Sequence, residues 1–419
     1  MDEEPIPALR PVELVPLTHE GRRLFLLRDP AGISAETILL PSASAELLAF
    51  FDGSHSIRDV QVAIARATGQ IIPVEQIRAF VDKLDENFFL DSPACQERRL
   101  ALAHEYATWK ARPAHFAGQA YADDPEVLRR ELDALYQAPG APGSPVEPVA
   151  HLPRAIAAPH IDPGRGGPIY AHAYASLWGA SPQRIVVLGV LHASSPHPFV
   201  LTGKDYQTPL GVARTDARLV RGLIGHLGWD PLEEEELHRV EHSIEFQVLF
   251  LQHALTRGGT RALDPEPEFL PILCAFSWEA FRETLEGATR RAQIDAFLQR
   301  LRRLLEEDPV PTVMVAGVDL SHIGPRFGDD REATPAWAEE IRRRDLTTLT
   351  QLAEGNREAF VRETVSEGND RRICGFGALY SLLSLIAPAR GQALRYDQSL
   401  DPSGLVSFAA LVFDGNRAG

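Results

Sequence analysis

Short apolar runs and amphipathic stretches alternate along the chain in two distinct styles. Near the N-terminus, "VELVPL" (12–17), "RRLFLLRD" (22–29) and "ETILLP" (36–41) read as extended segments joined by turns. Helical spacing then takes over. "SASAELLAFFDG" (42–53) opens on serines that read as helix caps and stops at Gly53, "HSIRDVQVAIARATG" (55–69) stops at Gly69, and "IPVEQIRAFVDKLDENFFL" (72–90) has Pro73 near its start. Three strands followed by three helices predict a small winged-helix-like α+β domain at 1–93. The charged stretch over 94–111 predicts a linking helix, and the Pro- and Gly-rich "QAPGAPGSPVEP" (137–148) predicts an exposed loop.

From about residue 150 strands and helices alternate. The strands are "RAIAAPH" (154–160), "RIVVLGV" (184–190), "FLPILCAF" (269–276), "TVMVAGVDL" (312–320) and "LVSFAALVFD" (405–414). Between them fall helices from Pro168, through "ARLVRGLIGHLG" (217–228), through "SIEFQVLFLQHAL" (243–255) and through "RRAQIDAFLQRLRRLLEED" (290–308), with an irregular stretch after residue 190. Such alternation predicts an α/β domain at 112–419 whose sheet is covered by helices on both faces.

Three of these strands end in groups that can carry chemistry. The first runs into Pro159-His160, the second into Leu191-His192, and the fourth into Asp319-Leu320-Ser321-His322. Ligands of open α/β sheets bind outside the carboxyl ends of the strands, so a shared polar ending predicts one pocket. "HRVEHSIEFQ" adds Glu241, His242 and Glu245 at a helix start, although acids there also complement the helix dipole. "RRICGFGAL" places Cys374 immediately before Gly375 and Gly377, where it is a ligand, a nucleophile or a small buried residue. Imidazole and thiolate are donors for first-row transition metals, so His160, His192 and Cys374, with Asp319 or Glu241 nearby, predict an open site for iron, copper or zinc. A hydrolase using Cys374, a histidine and Asp319 is the competing arrangement. No HExxH, CxxC or P-loop pattern is present.

Composition narrows the partners. The net charge of −16 argues against a nucleic-acid reader. No apolar run approaches the ~20 residues of a membrane span, and the acidic, proline-broken start is unlike a leader, so the expected location is cytoplasmic and away from membranes. Three scattered cysteines are expected as free thiols. Nothing in the sequence fixes an oligomeric state.

Two resemblances add to this reading. The region 12–93, through "FDGSHSIRDVQVAIARATG" and "VEQIRAFVDKLDENFFL", resembles PqqD-like domains, which implies a sheet edge that captures a peptide. More specifically, "RPAHFAGQAYADDPEVLRREL", "APH", "LGVLHASS", "EHSIEFQ", "DLSHIG" and "CGFGAL", in this order over 112–415, resemble the Memo family, whose microbial members are called AmmeMemoRadiSam system protein B. That resemblance implies a fold like the class III extradiol dioxygenases, a mixed sheet flanked by helices. It implies metal ligands at His160, His192 and Cys374, with Asp319 and His322 lining the pocket; the enzyme reading has His322 or His242 move a proton and counts Asp319 and Glu241 with them as the catalytic set. Fe(II) is the expected ion, with Cu or Zn as substitutes, and radical S-adenosylmethionine and AMMECR-type proteins are the expected partners. Cysteine stands where the dioxygenases have a carboxylate, which weighs against ring cleavage. The function so expected is a non-haem iron- or copper-dependent redox enzyme, the alternative being a non-catalytic peptide- or protein-binding module with a vestigial metal cleft.

Overall fold

The computed structural model of the chain describes residues 3–19, 22–225, 227–256 and 262–414. His226, which falls in one of the predicted helices, lies outside them. The chain divides into two compact units, one running through Thr108 together with Pro325–Phe327, and the other formed by the remainder.

In the first unit β1 (Glu13–His19), β2 (Arg22–Arg28) and β3 (Ile38–Pro41) form an antiparallel sheet in that order. Four helices follow: α1 (Ser42–Leu47), α2 (Ile57–Thr68), α3 (Val74–Glu86) and α4 (Pro93–Thr108). Leu27, Leu40, Phe51, Val60, Ile77, Leu84 and Phe89 meet in one core. A capping box between Ser56 and Asp59 starts α2. The serines of α1 do not cap it. The extended residue before the first turn is Pro41, and Ser42, already helical, donates instead to the Arg23 carbonyl at 3.0 Å. The stretch read as a link, α4, packs Cys95 and Leu102 with Ile33.

The second unit opens with β4 (Ala111–Arg112) and α5 (Pro125–Gln137), followed by β5 (Ala155–Ala158), α6 (Pro163–Ala175) and β6 (Arg184–Val190). Next come β7 (Phe199–Leu201), the hairpin β8 (Asp205–Thr208) and β9 (Gly211–Thr215), α7 (Ala217–Leu223), α8 (His242–Leu255) and β10 (Glu268–Cys274). α9 (Leu285–Glu307), β11 (Thr312–Gly317) and β12 (His322–Ile323) precede α10 (Pro335–Ala353), α11 (Arg357–Ser366) and α12 (Phe376–Ile386), and β13 (Arg390–Asp401) and β14 (Gly404–Asp414) close the unit. Two expectations change here. The stretch after residue 190 holds β7, β8 and β9 rather than irregular chain, and α6 starts at Pro163, ahead of Pro168, because Asp162 caps it through the Arg165 amide.

Among the described residues eleven strands make one mixed sheet, ordered β12-β14-β5-β11-β6-β10-β9-β8-β4, with β13 on β14 and β7 on β10. β5, β11, β6 and β10 are parallel neighbours, and β14 runs antiparallel to β5. Every residue of β6 is buried, as expected for a strand covered on both faces. Val186 and Leu188 join the core that includes α12. The alternating positions face α8. There Gly317 matters, since a Cβ on it would stand 2.6 Å from the Ser243 carbonyl and from Gln247. Its absence lets the first turn of α8 sit directly on the sheet. Among the described residues no helix is long and apolar enough to cross a membrane.

Candidate metal centre

Because β5, β11 and β6 lie side by side and parallel, their carboxyl ends finish together, each two residues short of a polar group: His160, Asp319 and His192. The His160 amide donates to Asp319 Oδ1 at 3.0 Å, and its Nδ1 lies 3.0 Å from the Gly317 carbonyl. A carbonyl only accepts, so Nδ1 carries a proton and Nε2 is the atom turned to the site. His192 repeats the arrangement with a different anchor. Its amide donates to Glu241 Oε2 at 3.0 Å, and its Nδ1 is 3.1 Å from both Glu241 oxygens.

Cys374 arrives from the other side of the chain fold. It precedes Gly375, the N-cap of α12, and a Cβ on Gly375 would meet the Asp319 carbonyl at 2.8 Å and Val318 at 2.7 Å. Only glycine lets the start of α12 press that closely on the end of β11, and the contact delivers Sγ to 3.4 Å from His160 Nε2. One donor atom from each of His160, His192 and Cys374 falls within 4.8 Å of the others. Burial raises the Cys374 thiol, but the neighbouring His160 and His322, with hydrogen bonds from His160 and His192, bring it down to about 5. Conversely, burial lowers His160, while Asp319 and Cys374 lift it to about 9. His192 is held well above the ordinary imidazole value because Glu241 and Cys374 outweigh its burial. The set is therefore a thiolate among imidazoles whose protons an incoming cation would displace.

The remaining predicted residues surround this set in different capacities. Asp319, buried, keeps Oδ2 3.6 Å from His160 Nε2. His322 bonds through Nδ1 to the Leu320 and Arg372 carbonyls, at 3.1 and 3.2 Å. His242, the first residue of α8, stacks on His192 with ring centroids 4.6 Å apart and stands edge-on to His160 at 5.4 Å. Glu241 caps α8 through the Ser243 amide at 2.9 Å and also lies 3.2 Å from His242 Nδ1. Although burial would raise Glu241, His192 and His242 keep its carboxyl well below the usual range. His192, Glu241 and His242 also bring donor atoms within 4.8 Å of one another. Glu241, however, is spent on two amides and two imidazoles, so it orients the ligand rather than replacing it. The exposed side of the site is at His192 and His242, whose side chains are 26% and 29% accessible.

Glu245, one turn beyond Glu241, has a separate task. Fully buried, it pairs with Arg112 and accepts from Tyr121 and from the amides of His115 and Phe116 at 3.0 and 2.9 Å. That knot ties the 111–121 segment to α8 and brings Phe116 to 5.8 Å from the His242 ring. Arg112 and Phe116 carry no periodic signal; they enter the sequence reading only through the motif "RPAHFAGQAYADDPEVLRREL". The cysteine hydrolase built on Asp319 fits the geometry poorly. The version with Asp319 fails, since His160 Nδ1 meets a backbone carbonyl and Asp319 stands on the Nε2 side; the histidine with a carboxylate on Nδ1 is His192, and that carboxylate is Glu241.

Comparison with known proteins finds relatives over most of the chain. The family model for Memo-like protein matches residues 112–412. A MEMO1 family protein of Aquifex aeolicus is 28% identical over 399 residues, covering 93% of this chain and 96% of its own. Another from Thermus thermophilus is 28% identical over 357 residues, 85% of this chain and 98% of its own. A third, from Methanopyrus kandleri, is 29% identical over 313 residues, and 71% of this chain accounts for 96% of that relative.

Proposed function

The chain belongs to the Memo family, and on that footing we propose that His160, His192 and Cys374 bind one transition-metal ion, Fe(II) in the native state with Cu or Zn as substitutes, and that the protein is a redox enzyme. The observation that carries the reading is the convergence of two imidazoles and a thiolate held near pKa 5 on one point, with the opening at His192 and His242. Two nitrogens and one sulfur suit borderline and soft first-row ions, and three protein ligands leave positions for a substrate. A bound iron or copper ion would supply one-electron chemistry. The chain's own residues do the rest: Glu241 fixes the His192 tautomer, Asp319 holds the His160 backbone, and His242 and His322 hold or move a proton at the pocket wall. Radical S-adenosylmethionine and AMMECR-type proteins are the partners this reading adopts.

The test is elemental analysis of protein purified without oxygen, followed by oxygen uptake with and without catechols or a thiol reductant. About one ion per chain is expected, lost in His160→Ala and His192→Ala and kept in His151→Ala and His197→Ala. Equal metal content in all four variants would overturn the assignment. A second reading concerns the N-terminal sheet, whose outer strands β1 and β3 each pair on one side only among the described residues. An extended peptide could be captured there by strand addition. Amide exchange protection of β1 or β3 by a partner peptide would support it, and unchanged exchange would remove it.

A further inference from the structure

Behind the site lies a buried polar network that the metal reading does not use. At its centre is Asp345 of α10, with no exposed surface. Its Oδ1 accepts from Ser321 Oγ at 2.6 Å and from Arg371 Nη1 at 2.8 Å, and its Oδ2 accepts from Ser407 Oγ at 2.6 Å and from the Tyr396 hydroxyl at 2.9 Å. Four donors from four distant segments thus close on one carboxylate.

Two of those segments carry site residues. Ser321 stands between Asp319 and His322. It is held further by its amide on Ser407 Oγ at 2.9 Å and by its carbonyl, which accepts the Ser407 amide at 2.9 Å. Arg371 lies three positions before Cys374, is 1% exposed, and also reaches Thr348 and Glu367. Its carbonyl accepts the His322 amide at 2.7 Å, and the next carbonyl, Arg372, takes His322 Nδ1. The approach to Cys374 is also strained. Asn369 and Arg372 both have left-handed backbones, φ +48° and +52°. Asparagine tolerates that conformation, but arginine does so only where surrounding contacts enforce it. Here the enforcing contacts are the buried Arg371 side chain and the bonds from Arg372 to Asp329 at 2.8 and 3.0 Å.

We propose that Asp345 is a positioning residue for the metal centre: through Ser321 and Arg371 it sets the distance between the Asp319–His322 segment and Cys374. The proposal rests on the ligand set of the previous subsection. A carboxylate that merely stabilised the fold would act through all four donors alike, whereas a positioning role runs through Ser321, Arg371 and Ser407, which itself holds the Ser321 backbone, and not through Tyr396.

Cobalt(II) is the probe, since a ligating thiolate gives it a charge-transfer absorption that reports the sulfur directly. Removing an outer partner of a ligand typically weakens metal binding by about tenfold or more. Ser321→Ala is therefore expected to raise the cobalt dissociation constant about tenfold and to shift or weaken the thiolate band per bound ion. Asp345→Asn should do so more strongly. Tyr396→Phe, which removes an equal bond to the same carboxylate from β13, should lower the melting temperature while leaving affinity and band unchanged. If Asp345→Asn does not fold, Ser321→Ala against Tyr396→Phe decides alone. An unmoved band and affinity in Ser321→Ala, or equal effects in Tyr396→Phe, would overturn the positioning role and leave the ligand set intact. Absence of any thiolate band in the unmodified chain would overturn the ligand set itself.

Discussion

Replacing Glu241 with glutamine removes one charge and almost no volume, and the structure says why it will not be tolerated. Oε1 accepts the Ser243 amide at 2.9 Å and lies 3.2 Å from His242 Nδ1, while Oε2 accepts the His192 amide at 3.0 Å; His192 Nδ1 is 3.1 Å from both. In either orientation a glutamine NH₂ faces a backbone N–H. One orientation opposes Ser243 and uncaps α8, at about 1 kcal/mol. The other opposes the His192 amide and leaves His192 Nδ1 only one uncharged oxygen, shared with the Ser243 amide, so the hold that keeps the proton on Nδ1 and Nε2 bare to ligate is weakened. Loss of such an orienting partner weakens metal affinity by about 10- to 100-fold, or ~1.4 to 2.7 kcal/mol. Competition with a chelator under anaerobic conditions measures the affinity, and differential scanning fluorimetry of the metal-free protein measures the cap. Native affinity together with a native melting temperature in Glu241→Gln would refute the reasoning.

Other outcomes follow from the same geometry. Cys374→Ser should lose Cu(I) most, because thiolate selects soft ions, while Cys374→Asp should retain some Fe(II) through a two-histidine, one-carboxylate set; metal titration of both variants checks this. The metal-free chain should show a stability plateau bounded on the acid side. The Cys374 contribution is present in full above the ordinary thiol value of 9.0 and is lost as pH falls through about 5. That of His160 is present in full below 6.5 and is lost as pH rises through about 9. Between 6.5 and 9 the two trends offset and above 9 neither changes further, so these groups predict falling melting temperatures only on the acid side, from 6.5 down to about 5, and that decline should flatten in Cys374→Ser.

Much of the site was legible because it depends on strand ends. Apolar runs such as "RIVVLGV" announce buried strands, and a polar residue just beyond each run marks the crevice edge. That β11 inserts between β5 and β6, making Asp319 the neighbour of His160, could not be read, since strand order is decided by non-local pairing. β13 escaped for another reason. It pairs only with β14 among the described residues and is largely exposed, so "RGQALRYDQSLD" lacks an apolar run. Hairpin β8–β9 is short and polar at alternate positions, and reads as loop. Glu241 and Glu245 looked like one feature from their spacing, yet one turn of helix sends them to opposite duties: Glu241 to His192, and Glu245 to Arg112 and Tyr121. Asp345 was invisible, because nothing near it in sequence shows that Ser321, Arg371, Tyr396 and Ser407 converge on it.

The central claim is a ligand set of two imidazoles and one thiolate, and X-ray absorption at the zinc edge of the zinc-loaded protein tests it most directly. His160, His192 and Cys374 should give a sulfur shell of one atom at about 2.3 Å and nitrogen scatterers at about 2.0 Å with imidazole multiple scattering. Cys374→Ser should remove the sulfur shell alone. A spectrum of nitrogen and oxygen only in the unmodified protein would contradict the account.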